Sequence, residues 1–174
     1  MIRNFFLVIL LACASCSHYH FGSALPKEQR VIEVAQVTNL TSEPRLEALL
    51  RNSLAESIMH TPGIKLAKPN QAGGLLLETR IVEIDQQRSV RTELRDRPDR
   101  DGSGNSYQTV VFRVTIKIEY QAFKCGDNAL CRAGKTTVMA DFPSMADQET
   151  AREEAFREAM RRAASQIVAE VTEG

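Results

Sequence analysis

The chain has 174 residues, 43% of them hydrophobic and 6% aromatic, with 22 Lys and Arg balanced by 22 Asp and Glu. That length and apolar content fit one globular domain; they exclude a disordered chain and a barrel enzyme of about 250 residues. A formal charge of zero also removes the electrostatic case for nucleic acid, whose phosphate backbone calls for a basic excess or stripe.

The first stretch, Met1 to Cys16, carries one cation, Arg3, then the apolar run Phe5 to Ala14, small residues and cysteine. It reads as a secretory signal outside the fold. A membrane-spanning helix needs about 20 apolar residues, and this run is about half that. A small residue directly before cysteine at the end of such a run resembles the lipobox of bacterial lipoproteins, in which the thiol is acylated and the chain is cut before it. Cys16 leaves a signal of the more usual length; Cys13, in Leu10-Leu11-Ala12-Cys13, is the alternative. The expected organisation is a signal peptide over 1–15, a lipidated tether over 16–30 and one domain over 31–174.

Val31 to Val37 is rich in β-branched residues and reads as a first strand ending at the Thr38-Asn39 turn signal. From Ser42, with Pro44 in the first turn, Leu46, Leu49, Leu50, Ser53, Leu54 and Ile58 recur at helical spacing until Pro62-Gly63. A second strand begins at Leu75-Leu76-Leu77, buried on both faces at its start, and runs through Ile84. The segment from Arg88 to Ser106 alternates charges and ends in Gly and Ser, which suits either a solvated hairpin end or a functional loop.

In the third strand Val110, Phe112, Val114, Ile116, Ile118, Tyr120 and Ala122 alternate with polar neighbours, so one face belongs to the core. A short fourth strand, Thr136 to Ala140, pairs with it as a hairpin, and Asp147 to Thr172 forms an Ala-rich amphipathic helix. The order β-α-β-β-β-α implies an α+β two-layer sandwich, with two helices on one face of a four-stranded mixed sheet. Between the last two strands, Cys125 and Cys131 are an even pair in an exported chain and suggest a local disulfide, with two free thiols as the alternative. A zinc site lacks a second ligand pair nearby.

Catalytic chemistry finds little purchase, and neither a cofactor nor a metal is expected. Of three histidines, His18 and His20 sit in the tether and His60 at a helix end. Ser103 lacks the glycine two residues earlier that a nucleophile elbow requires. Gly134-Lys135-Thr136 ends like a phosphate-binding loop, but Ala129 stands where glycine is needed and a strand is expected next. Asn39-Leu40-Thr41 reads as a turn before a helix.

The tether Cys16-Ser17-His18-Tyr19-His20-Phe21-Gly22, the strand, the Asn-x-Thr turn, the helix, three strands and the terminal helix together resemble the LptE family of lipopolysaccharide-assembly lipoproteins. The tether departs from the family pattern by one extra residue and by lacking the glycine after Cys16. The resemblance implies a non-enzymatic outer-membrane lipoprotein, held by its N-terminal lipid, that plugs and helps assemble the LptD β-barrel and binds lipopolysaccharide. It further implies basic residues at loop tips as lipopolysaccharide contacts, for which Arg88, Arg91, Arg95 and Lys135 are the candidates. A regulator docking on a periplasmic cell-wall synthase shares the strand-turn-helix layout, and an auxiliary subunit of a lipid transporter is a further reading. The stretch Ser17 to Arg30 spans at most about 49 Å when extended, which favours a partner in the membrane that holds the lipid.

Overall fold

The computed structural model describes residues 25–68, 74–93, 107–144 and 147–173, with the side chains at 90–93 and 107–110 outside that description. After a 3-10 turn at Lys27–Gln29 come β1 (Val31–Val34), β2 (Thr38–Asn39), α1 (Arg45–His60), β3 (Lys65–Leu66), β4 (Leu75–Glu93), β5 (Tyr107–Lys124), β6 (Leu130–Pro143) and α2 (Gln148–Glu173). The strands form one sheet in the order β3-β1-β4-β5-β6, with β2 also beside β4. β1 runs parallel to β3 and β4, whereas β4, β5 and β6 are an antiparallel meander. The α+β class and the mixed sheet hold. The strand number is corrected from four to six, because β2 and β3 have two residues each and are too short to leave a periodic pattern.

The expected first strand is one of the places where the sequence pattern and the backbone part company. β1 follows β4 from Ile32 opposite Leu75 to Val34 opposite Leu77, and β2 rejoins β4 with Thr38 opposite Arg80. Four steps on one chain thus match three on the other, which forces a break at Ala35-Gln36-Val37. Val37 turns into the core across this gap, at 2% exposure.

The turn after β2 is built by its side chains. Asn39 Oδ1 accepts from the Thr41 amide at 3.0 Å and from the Thr41 hydroxyl at 2.8 Å, while Asn39 Nδ2 donates to the Glu43 carbonyl at 2.8 Å. This Asx turn sets the entry to α1, where Pro44 occupies the cap position, so a missing N–H costs nothing. Leu46, Leu50, Leu54 and Ile58 then fall on one stripe of the helix and are fully buried. Each contributes about 1.5–3 kcal/mol by leaving water. Arg152 of α2 is paired with Glu43 and lies 4.9 Å over the Phe156 ring, which ties the start of α1 to α2.

In the meander, Val114, Ile116, Ile118, Tyr120 and Ala122 of β5 face the helices, joined by Thr136, Val138, Ala140 and Phe142 of β6. From β4 come Leu75, Leu77 and Ile81, all buried; Leu76 is only half-buried, so the start of β4 is not fully covered on both faces. A register shift between Ile81 and Glu83 resets the alternation, so that Ile84 still meets the core opposite Ile116. α2 closes the layer with Phe156, Ala159, Met160, Ala163, Ile167 and Val171. Its alanines allow the helix to lie close against β6.

At the other end of the domain Gly74 donates its amide to the Val31 carbonyl at 2.7 Å and accepts from the Cys125 amide at 3.1 Å. A Cβ there would stand 1.8 Å from the Glu28 carbonyl oxygen, so only glycine fits. Among the described residues no helix is long and apolar enough to cross a membrane.

Candidate functional site on the open sheet face

Among the described residues, the second face of the meander carries no helix. It is polar because each buried residue of a strand places its neighbours on the opposite side. Among the described residues, three cross-strand ion pairs lace it together. Glu83 of β4 meets Lys117 of β5 at 2.7 Å, Arg113 of β5 meets Asp141 of β6 through two bonds of 2.7 and 2.8 Å, and Glu119 of β5 meets Lys135 of β6 at 2.7 Å. The Arg113 guanidinium holds the Asp141 carboxyl below its ordinary range, and the Lys135 ammonium does the same for Glu119, with a smaller contribution from the charge of Arg80.

One depression of about 670 Å³ lies on this face, between the Ala35–Thr38 break and β6. Gln36, Glu78, Arg80, Glu119, Gln121 and Lys135 are among its lining. The break in the first strand matters here, since the displaced segment forms one wall. The opposite wall depends on Gly134: an added Cβ would meet the Tyr120 hydroxyl at 2.4 Å, so glycine lets the Tyr120 ring pass under β6. The hydroxyl donates to Glu170 of α2, and Thr136 donates to Gln166 at 2.6 Å, fixing helix and sheet together beneath the depression. Burial, followed by the hydrogen bond and charge of Glu170, pushes the Tyr120 phenol up to about 12.

Of the four cations expected at loop tips, Arg88 and Lys135 are described with their side chains, and they lie far apart. Arg88 lies in β4, exposed and opposite Phe112, whereas Lys135 lies in β6 opposite Glu119. Seven residue steps along β5 separate those two rungs, about 24 Å of strand. Lys135 is a strand residue and not a loop residue, because β6 begins at Leu130 and not near Thr136. Arg91 is opposite Thr109 with its side chain outside the description, and Arg95 lies outside the described residues, as do Cys13 and Cys16.

Cys125 and Cys131 stand as separate thiols in the structure, one half-buried and the other exposed. Phe123 pairs with Leu130, which places Cys125 toward the hairpin tip and Cys131 on the other side of that rung, at a register irregularity. The Cys131 thiol points to the Ala129 carbonyl at 3.7 Å. Gly134-Lys135-Thr136 lies within β6 and precedes no helix, as the strand expectation required. Among the described residues no three His, Cys, Asp or Glu side chains gather as a metal site.

The profile of the LptE family, described as lipopolysaccharide-assembly, matches residues 29–171, from the 3-10 turn through nearly all of α2. The chain belongs to the LptE family. Membership makes it a bacterial lipoprotein of lipopolysaccharide assembly, in a family that is non-catalytic. No curated protein sequence matches the chain. Among solved structures it is similar to protein XCC0632 from Xanthomonas campestris, with 13% identity over 83% of this chain and 86% of that one, at a TM-score of 0.56. It is similar also to a neuraminyllactose-binding hemagglutinin homolog from Helicobacter pylori, with 11% identity, 89% and 94% coverage and a TM-score of 0.51. Rare lipoprotein B from Shewanella oneidensis aligns at 15% identity over 80% of this chain and 92% of its own, with a TM-score of 0.39. At these identities the likeness concerns the fold.

Proposed function

We propose that this LptE-family protein is anchored to the outer membrane through a lipid on Cys16, occupies the lumen of an LptD-type β-barrel whose assembly it supports, and contacts lipopolysaccharide on its way to the surface. The observation that carries the reading is the open face of the β4-β5-β6 meander. Three long strands present a paired, mixed-charge surface, and such a surface suits the polar interior of a large outer-membrane barrel. A face built to meet another hydrophobic core would be apolar in its centre. Arg88, Arg91, Arg95 and Lys135 remain the proposed lipopolysaccharide contacts, of which Arg88 and Arg91 belong to β4 and Lys135 lines the depression.

Purification of the full-length lipoprotein from its own membranes in mild detergent tests the barrel partner. A stoichiometric outer-membrane β-barrel is the expected companion; a cell-wall synthase, or transporter subunits with no barrel, overturns the reading. Cys16→Ala is expected to release the protein from the membrane, and retained lipidation would move the anchor to Cys13.

A further inference from the structure

A second depression, of about 320 Å³, opens at the end of the domain where the described chain begins. The buried residues Leu75, Ala122 and Val171 form its floor, and Leu25, Cys131 and Arg132 stand at its rim. Leu25 is fixed there, because Arg30 Nε donates to its carbonyl at 3.1 Å and its side chain packs against the core. The chain that precedes Leu25 therefore leaves from the wall of the groove. That chain is short and of defined chemistry: Phe21-Gly22-Ser23-Ala24, with Tyr19 and His20 before it.

We infer that this groove is the docking site for the Phe21 side chain, which straps the tether to the domain. An apolar cavity of about 150 Å³ holds a benzene ring, so a phenyl group has room here. Phe21 is four chain steps before Leu25, within about 14 Å of it at full extension. Gly22, Ser23 and Ala24 add little bulk between them, and Gly22 lets the backbone turn toward the groove. Tyr19 lies two residues further out and would bring a hydroxyl onto an apolar floor. At the rim Arg132 is half-buried and, among the described residues, in no ion pair; a guanidinium so placed suits the face of an aromatic ring. With Phe21 docked, five steps remain from Cys16, about 18 Å of chain. The end of the domain that carries the α2 C-terminus and the β5-β6 turn then faces the membrane that holds the lipid. This orientation rests on the proposed Cys16 anchor; the docking itself does not.

Cys131 is a natural reporter, an exposed thiol on the rim. The full-length lipoprotein in detergent, in a Cys125→Ser background, is treated with N-ethylmaleimide, and modification is followed at the Cys131 peptide by mass spectrometry. Phe21→Ala is expected to speed that reaction about five- to tenfold, less than full burial of a phenyl ring would give, because ordering the strap opposes docking. Phe21→Leu should keep most of the protection, and Tyr19→Ala should leave the rate unchanged. A reporter thiol introduced by Thr137→Cys, exposed on β6 and outside the groove, should react equally with and without Phe21→Ala. Equal Cys131 rates in wild type and Phe21→Ala overturn the inference, and so does an equal rise in Tyr19→Ala. Protection that follows Phe21 in a protein found without lipid on Cys16 supports the docking and removes the anchor reading.

Discussion

The two faces of the β4-β5-β6 meander are made by the same strands, residue by alternate residue, yet they do different physical work. Toward the helices, Ile116, Ile118, Val138 and Ile81 are sealed from water and fill a continuous core with α1 and α2. Toward solvent, Glu83, Lys117, Arg113, Asp141, Glu119 and Lys135 remain wet and paired. Burial of apolar area is worth about 25 cal/mol per Å², whereas exposed ion pairs lose most of their Coulomb attraction to water and to side-chain ordering. The covered face therefore sets the stability of the domain, and the open face is left to set what it meets.

Truncation in the covered face should produce the largest effect. Ile118→Ala, at a position with 0% exposure, is expected to cost about 2–5 kcal/mol, read as a fall in the urea midpoint. A loss well below that would mean the helices do not seal the sheet. Gly134→Ala adds a methyl group where the two faces share one residue, and it must displace the buried Tyr120 ring. A cost of about 1–3 kcal/mol by urea unfolding is expected, because overpacking forces the ring from its place. A neutral result would show that β6 can yield at this point.

Alkaline pH probes the same junction. The folded phenol of Tyr120 ionises near 12 against an ordinary 10, so the fold favours its neutral form. That stabilisation is fully present below pH 10 and is lost as pH rises from 10 toward 12. Ultraviolet titration should show one tyrosine ionising late, and Tyr120→Phe should remove both that transition and its share of the alkaline destabilisation. The smallest effect belongs to the open face: Asp141→Asn breaks the bond pair with Arg113 but should leave the urea midpoint within experimental scatter. A clear loss of stability there would abolish the division of labour between the faces.

Much of the covered face was legible beforehand. The stripe Leu46, Leu50, Leu54, Ile58 and the stripe Phe156, Met160, Ala163, Ile167 located both helices, observed at Arg45–His60 and Gln148–Glu173. Strict alternation from Val114 to Ala122 located β5 and its buried side. The irregular features were not legible, for identifiable reasons. β3 consists of Lys65-Leu66 alone, and the break after Val34 arises from a mismatch of step number against β4. Lys135 could be chosen as a cation from the sequence, whereas Arg80 and Glu119 were unremarkable polar residues of two distant strands.

The sequence by itself determined the helices, the polarity of each strand and the family pattern of the chain, because hydrophobic periodicity is a local property that folding must satisfy. Only the tertiary structure decided which polar residues share a rung, since register couples residues 39 and 16 positions apart in Arg80, Glu119 and Lys135. It also decided that Cys125 and Cys131 stand on opposite sides of the Phe123–Leu130 pair. Periodicity tells each strand which face is wet; pairing across strands, fixed by the packed side and by the bulges, tells the wet residues whom they face.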